Sequence, residues 1–223
     1  MNVLAVESST KACSVCLKVG DSAYVEFEMA PQRHANLMLP MVEKVLGQSG
    51  IAPEAIDMLA FSEGPGAFTG IRIAAGVIQG LALGWKKPVL PVSTLEALAW
   101  QAYKQNQETE WVACLDARMK EIYVQSCYIV KNRLTSGTAQ LASEQQLLEI
   151  LKNSPIKNGI GDIESEYPDV VKVFDHWQNA YPSAEAIADI AQQRADHAKM
   201  LEEEIPLPVY LRNDVADKPA AMK

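Results

Sequence analysis

The stretch Val3-Leu4-Ala5-Val6-Glu7 is an apolar run that ends in a carboxylate, and Trp111-Val112-Ala113-Cys114-Leu115-Asp116 repeats that form in the second half of the chain. Short apolar runs containing β-branched residues predict buried strands. Two more strand candidates and a helix follow each stretch, so the order strand, acid, strand, strand, helix occurs twice. The sequence therefore predicts an internal repeat, unless Glu7 and Asp116 merely begin turns after ordinary strands.

Hydrophobic periodicity assigns elements to most of the remaining chain. Helices opened by Ser93 and Ser143 carry Glu96 and Gln146 three residues later, which is the capping-box pattern. Residues 159–162 have the composition of a tight turn. The other predicted strands are 12–18, 24–28, 58–62, 89–92 and 122–128, with a possible strand at 134–141; the other predicted helices are 35–48, 68–83 and 183–199.

The repeat indicates an α/β protein of the actin-like ATPase, or ribonuclease H-like, superfold. That architecture has two related lobes, and it places paired acids at facing strand ends around a nucleotide cleft. We predict a first lobe at residues 1–106, a second lobe at residues 107–202, and an extended, proline-containing tail at residues 203–223 laid on the body.

Composition limits the possible partners. The chain has 223 residues, a formal net charge of -8 and scattered Lys and Arg residues, so phosphate neutralisation cannot drive strong independent binding to RNA. The N-terminus has no basic region before its apolar run, and the longest uncharged apolar stretch, residues 73–85, is shorter than the roughly 20 residues of a membrane span. We expect a soluble, cytoplasmic protein with no membrane partner.

Cysteine usage does not indicate a redox site. Cys13 and Cys16 form a C-x-x-C pattern, but it lies in a strand-like run without the strand–helix context of redox motifs. We expect Cys13, Cys16, Cys114 and Cys127 to be buried thiols.

The glycine-rich stretch at residues 64–76 is the most specific part of the sequence. Glycines between a strand and a helix N-terminus let backbone N–H groups face an anion, which would make this loop a phosphate cradle. The spacing is not G-x-G-x-x-G, and no Gly-Lys-Ser/Thr follows, so the pattern is weak. The candidate nucleotide or anion site consists of Glu7, Gly64, Gly66, Gly70 and Asp116.

Two helices have more apolar or small residues than a simple core face needs. Gly76, Gly80 and Gly84 recur every fourth residue in the helix after the glycine loop. A mid-helix glycine costs about 1 kcal/mol relative to alanine, and close approach of another helix would explain that cost. The helix at 35–48 is apolar around much of its circumference, which suits either a repacking interface or a helix buried inside a thick α/β layer.

Sequence signatures of catalysis are sparse. The three histidines, His34, His176 and His197, are far apart, so their spacing does not predict a histidine-anchored metal site. No serine lies in a G-x-S-x-G elbow. We predict no catalytic residues and no metal site. The alternative from the residues is a Mg²⁺-dependent nucleotide hydrolase using Glu7 and Asp116; a peptidase has still less support.

Five segments in order, residues 3–10, 33–40, 64–76, 116–123 and 208–212, closely resemble the bacterial TsaB family, also called YeaZ. The resemblance implies two actin-like lobes with the second reduced, and a non-catalytic scaffold role as obligate partner of the paralogous enzyme TsaD. TsaD transfers threonylcarbamoyl to N6 of adenosine 37 in tRNAs that read codons beginning with A. The small ATPase TsaE would join the pair.

The resemblance also implies where this chain would meet its partners. Contact with TsaD, or with a second copy of the chain when TsaD is absent, would use the helices at 35–48 and 68–83. ATP and metal would belong to the partner subunits, and tRNA would be met only through the complex. Arg118 would either contact the third subunit or pair with a neighbouring acid. The implied interface residues are Leu37, Met38, Met41, Val42, Val45, Ile73, Gly76, Val77 and Gly80.

Overall fold

The structure is a computed structural model that describes residues 1–212. Residues 213–223 of the predicted tail lie outside the described residues.

The first half of the chain forms a five-stranded mixed sheet. β1 pairs antiparallel with β2 and β2 with β3, whereas β4 and β5 run parallel to β1, giving the strand order β3-β2-β1-β4-β5. The strands are β1 Asn2–Glu7, β2 Ala12–Val19, β3 Ser22–Met29, β4 Met58–Gly64 and β5 Val89–Ser93; the helices are α1 His34–Ser49, α2 Phe68–Trp85 and α3 Thr94–Asn106.

The second half repeats this topology. Its sheet has the order β8-β7-β6-β10-β11, in which β6 takes the place of β1. The helix corresponding to α2 shrinks from 18 residues to the four of α5, so the second lobe is reduced. The elements are β6 Glu110–Arg118, β7 Glu121–Val130, β8 Arg133–Ser136, β9 Gln140–Ser143, α4 Glu144–Lys152, β10 Asn158–Gly161, α5 Pro168–Val171, β11 His176–Asn179 and α6 Ala184–Gln193. The actin-like, ribonuclease H-like fold class is confirmed.

The layers explain which residues are buried. α1 and α2 cover the outer face of the first sheet, α4 and α5 cover that of the second, and α3 and α6 pack between the two sheets. Cys13 faces the outer core of the first sheet, whereas Cys16 faces the core between the sheets, so the two sulfur atoms point in opposite directions. All four cysteines are free and buried, as expected.

Some element predictions were wrong. Residues 159–162 are not a tight turn, because β10 forms there between β6 and β11. The possible strand at 134–141 is divided into β8 and β9, and both pair with β7. α6 ends at Gln193 instead of continuing to 199, and α5 and β11 were missed.

One of the two predicted capping boxes is complete. Ser143 and Gln146 exchange both bonds at the start of α4. At α3 the Ser93 hydroxyl accepts from the backbone N–H of Glu96, but the Glu96 carboxylate binds Arg194 and Ser136 instead of reaching back to the cap. A tertiary ion pair has replaced the second half of that box.

Candidate functional site

A cleft of about 670 Å³ lies where the two lobes meet the tail. The first lobe contributes the β1–β2 turn and the glycine loop, and the second contributes the ends of β6 and β10. The predicted site residues that line this cleft are Gly66, Gly70, Ile73, Asp116 and Arg118. Glu7 and Gly64 do not.

Asp116 is held by its own hairpin and by the neighbouring strand. Its carboxylate accepts the backbone N–H of Arg118 at 2.8 Å and forms an ion pair with the Arg118 guanidinium at 2.9 Å. Asp162, at the end of β10, accepts the backbone N–H of Asp116 at 2.9 Å. Asp162 was not predicted as a site residue, because the strand that it follows, β10, was not predicted either. Burial raises the pKa of Asp162.

Glu7 turns away from the cleft, which corrects the prediction of two facing acids. Its carboxylate is fully buried, and one oxygen accepts both the backbone N–H and the hydroxyl group of Ser9 at 2.5 Å. The other oxygen, Oε2, has no hydrogen-bond partner among residues 1–212. Burial raises the pKa of Glu7. A fully buried carboxyl group outside the cleft is a poor ligand for a hydrated Mg²⁺ ion.

The glycine loop is shaped by contact with the β1–β2 turn. A Cβ atom on Gly66 would stand 2.5 Å from the Ser9 carbonyl oxygen, and one on Gly70 would overlap the Ser8 carbonyl group. The backbone N–H of Ala67 donates to the Ser9 carbonyl at 2.6 Å. These glycines are therefore needed for close packing of two backbone segments, and that packing accounts for them without a bound phosphate.

The docking surface predicted on α1 requires a correction. Met38, Met41, Val42 and Val45 are buried in the core between α1 and the first sheet, so they cannot be surface contacts in this conformation. Leu37 is half-buried. The helix is apolar around much of its circumference because one face packs on the sheet while its flanks meet β3 and α2.

Contacts across the first lobe show which flank of α1 faces α2. Lys44 and Gln48 donate to Glu26 of β3, so the flank that also carries Leu37 faces that edge strand. Leu39 lies on the opposite flank, because successive helical residues rotate by about 100°. Leu39 is 49% exposed and was not among the predicted interface residues.

The residues predicted as an interface on α2 lie on or beside its exposed face. Gly76, Gly80 and Gly84 are exposed, and a Cβ atom on any of them would meet nothing within 4 Å. Ile73 and Val77 are half-buried beside this stripe. Leu83, which was not predicted as an interface residue, is 71% exposed.

Among residues 1–212, α2 is the one helix with the length and composition of a membrane span. A buried face that includes Ile71, Ala74 and Ile78 packs on the first sheet, so α2 is a core helix with an unusually apolar outer side.

After a turn at residues 201–203, the described residues 204–212 of the tail run extended over the body and touch both lobes. The backbone N–H of Val209 donates to the Glu63 carbonyl at 2.7 Å in the first lobe. The Arg212 guanidinium binds the Glu121 carboxylate and, at 3.3 Å, the Arg118 carbonyl in the second lobe. The tail therefore closes one side of the cleft.

Comparison with known proteins agrees with this architecture. The family model of TsaD, tRNA N6-adenosine threonylcarbamoyltransferase, matches residues 25–168. The tRNA threonylcarbamoyladenosine biosynthesis protein TsaB of Escherichia coli (strain K12) is 37% identical over 227 residues, covering 98% of this chain and 97% of that protein. TsaB of Haemophilus influenzae is 34% identical, covering 98% of this chain and 96% of that protein.

A solved structure gives the same result. The crystal structure of a Pseudomonas aeruginosa protein, described as uncharacterized with similarity to peptidase YEAZ, has a TM-score of 0.83 and 33% identity, covering 95% of this chain and 99% of that one. The lobes are repeated, the second is reduced, and two TsaB proteins are 37% and 34% identical to the chain over nearly its whole length. The chain therefore belongs to the TsaB (YeaZ) family of tRNA threonylcarbamoyladenosine biosynthesis proteins.

Proposed function

We propose that this chain is a non-catalytic accessory subunit that docks on a TsaD-type threonylcarbamoyltransferase through the outer face of α2. The enzyme would form the threonylcarbamoyl group on N6 of adenosine 37 in tRNAs that read codons beginning with A. The observation that carries the proposal is the exposed stripe of Gly76, Gly80 and Gly84, above which there is open space.

The glycine stripe lowers the stability of α2 in the lone chain. A glycine inside a helix destabilises it by about 1 kcal/mol relative to alanine. A Cβ atom on Gly76 or Gly80 would meet nothing within 4 Å, so close packing inside the chain does not require glycine at either position. Small residues at every fourth position let a second helix approach closely along that line, and Leu83 and Leu39 would lose their exposed apolar surface in the contact.

A homologous partner fits this surface. The TsaD family model matches a range that contains both α1 and α2, so the enzyme family shares this part of the chain. Two related surfaces can pair in a pseudo-twofold arrangement, and a second copy of this chain would pair in the same way when the enzyme is absent.

The cleft supports an accessory rather than a catalytic role. Glu7 is fully buried away from the cleft, and Asp116 is engaged by Arg118, so the two acids do not present a joint metal site. ATP and metal would be supplied by the enzyme and by a TsaE-type ATPase. The net charge of -8 favours contact with tRNA through the complex rather than through this chain alone.

Arg118 is the candidate contact for the ATPase subunit. Its side chain is 64% exposed at the rim of the cleft although it pairs with Asp116. Replacing Arg118 with alanine should leave the pairing with the enzyme intact and weaken recruitment of the ATPase. Unchanged recruitment would show that Arg118 only pairs with Asp116 in the β6–β7 hairpin and does not contact the ATPase.

The test is light scattering during size-exclusion chromatography of the chain mixed with its TsaD-type enzyme, followed by a tRNA modification assay on each fraction. Gly80→Arg should abolish the heterodimer without destabilising the lone chain, because arginine is the better helix former. Gly137→Arg is the matched control, since Gly137 is exposed in the second lobe and its Cβ would fit. Met41→Asp would be uninformative about docking because Met41 is a core residue.

Two results would overturn the proposal. One is a heterodimer that forms equally well with Gly80→Arg. The other is Mg²⁺-dependent nucleotide hydrolysis by the lone chain that Asp116→Asn abolishes, which would favour the hydrolase alternative instead.

A further inference from the structure

The tail carries a row of outward-facing apolar side chains. Ile205 is 63% exposed and Leu207 is 66% exposed, and Val209 is also exposed, whereas Pro206 between the first two is buried. Alternation of this kind is typical of an extended segment with one face on the protein and the other free. Three large apolar side chains thus remain partly exposed on the free face of the tail.

The tail is fixed in place along α2. The Gln79 side-chain amide donates to the Pro206 carbonyl at 2.7 Å, and the Arg72 guanidinium donates to the Tyr210 hydroxyl group at 2.8 Å. The rings of Phe68 and Tyr210 lie 5.4 Å apart, with the Arg72 guanidinium 3.6 Å from the centre of the Phe68 ring. The apolar row is therefore presented in a fixed position and not on a free end.

These contacts place the tail and α1 on opposite sides of the glycine stripe. Phe68, Arg72 and Gln79 share one side of α2, because their spacings of four and seven residues return to nearly the same angle at about 100° per residue. Ile73 and Val77 lie on the other side, and Gly76 and Gly80 lie between the two. The outer face of α2 is thus the floor of a groove, with the tail as one wall and α1, carrying Leu39, as the other.

We infer that the apolar row of the tail, Ile205, Leu207 and Val209, forms one wall of the docking groove and contacts the helix of the TsaD-type enzyme that lies on the glycine stripe. The inference rests on the proposed function, because the tail is continuous with the surface assigned there. Glycines on the floor let a helix sink between the walls, where apolar side chains on its flank would meet Leu207. The tail lies outside the range 25–168 that matches the enzyme family, so this wall is additional to the shared helices.

The experiment measures the dissociation constant of the chain and the purified enzyme by isothermal titration calorimetry. Leu207→Asp should weaken binding by at least about tenfold, since a charge would be buried against an apolar helix. Ile150→Asp is the matched control, because Ile150 is 43% exposed on α4 of the second lobe, and it should leave binding unchanged. Both variants should keep the thermal unfolding midpoint of the wild-type chain, because both side chains are exposed.

The outcomes separate this inference from the proposed function. Wild-type binding that Gly80→Arg abolishes and Leu207→Asp leaves unchanged overturns the tail contact alone. A wild-type chain that does not bind the enzyme overturns both. If Leu207→Asp weakens only the self-association of the chain, the occupant of the groove is a second copy and the inference is wrong.

Discussion

The hydroxyl group of Ser8 donates a hydrogen bond to the backbone carbonyl of Gly70 at 2.9 Å, which fastens the β1–β2 turn to the first turn of α2. The two backbones approach so closely that any side chain at position 70 would overlap the Ser8 carbonyl group. The glycines of this loop thus allow two backbone segments to pack closely at the base of the cleft.

Gly70→Ala should destabilise the chain by about 2 kcal/mol or more, because the rigid backbone of Ser8 must move to admit the methyl group. Urea unfolding of the lone chain measures the change. Gly76→Ala is the control on the same helix, and it should stabilise the chain by about 0.5–1 kcal/mol, since its Cβ would enter open space. Equal stability of the two variants would contradict the packing explanation.

Asp189 on α6 joins three elements through one carboxylate. It pairs with Lys18 of β2 and accepts the Trp100 indole N–H at 3.0 Å. Asp189→Ala should cost about 3–5 kcal/mol, because Lys18 would remain largely buried without its partner. Denaturant unfolding is the measurement. Glu149→Ala, which removes an exposed pair with Lys152, should change stability by less than about 0.5 kcal/mol; similar losses in both would show that Lys18 is solvated.

Glu63 should give the chain a distinctive dependence on pH. Burial, with repulsion from Glu96 second, raises the pKa of Glu63 from 4.5 to about 7. Between these values the unfolded chain has lost the proton that the folded chain retains, so this group reduces stability as pH rises from 4.5 to 7 and the loss is complete above 7.

Glu63→Gln removes that ionisation. The variant should match the wild-type chain near pH 4 and exceed it at pH 8 by on the order of 3 kcal/mol, measured by urea unfolding at both values. Glu202→Gln, at an exposed position, should show no such divergence. A constant difference between Glu63→Gln and wild type at the two pH values would refute the raised pKa.

The cysteines should be inert in the native chain. Burial raises the pKa of the Cys13 and Cys16 thiols to about 12, and Cys114 and Cys127 are equally enclosed. Because the thiolate is the reactive form, an aromatic disulfide reagent at pH 8 should label almost none of the four cysteines until denaturant is added. Rapid labelling of Cys13 and Cys16 in the native chain would contradict this expectation and favour a redox site at the C-x-x-C pattern.

The sequence was informative where a pattern is local. The repeated strand and acid, the capping box at Ser143 and the glycine stripe of α2 depend on residues close together in the chain, and all three are present in the structure. β10 escaped prediction because it is short and glycine-rich, and only its position between β6 and β11 makes it a strand.

The direction in which a side chain points was harder to predict from the sequence than the secondary structure. The burial of Glu7 depends on the glycine loop closing over the β1–β2 turn, and no local pattern reports that contact. On α1, Met41 and Leu39 are equally apolar, so only the position of the sheet decides that one is buried and the other exposed. The tail became part of the candidate surface through its contacts with Arg72 and Gln79, which are distant in sequence.

The placement of α6 between the sheets has a consequence for how the chain is made. The backbone N–H of Ala184 donates to the Ser14 hydroxyl group at 2.8 Å, and α6 covers the inner faces of β1 and β2. On the ribosome β1 and β2 emerge before α6, so the part of their inner faces that α6 covers stays exposed until residues 184–193 have left the exit tunnel. The first lobe therefore completes its inner core only after residues 184–193 of the second lobe have been synthesised, and until then α6 cannot cover Val3 and Ala5.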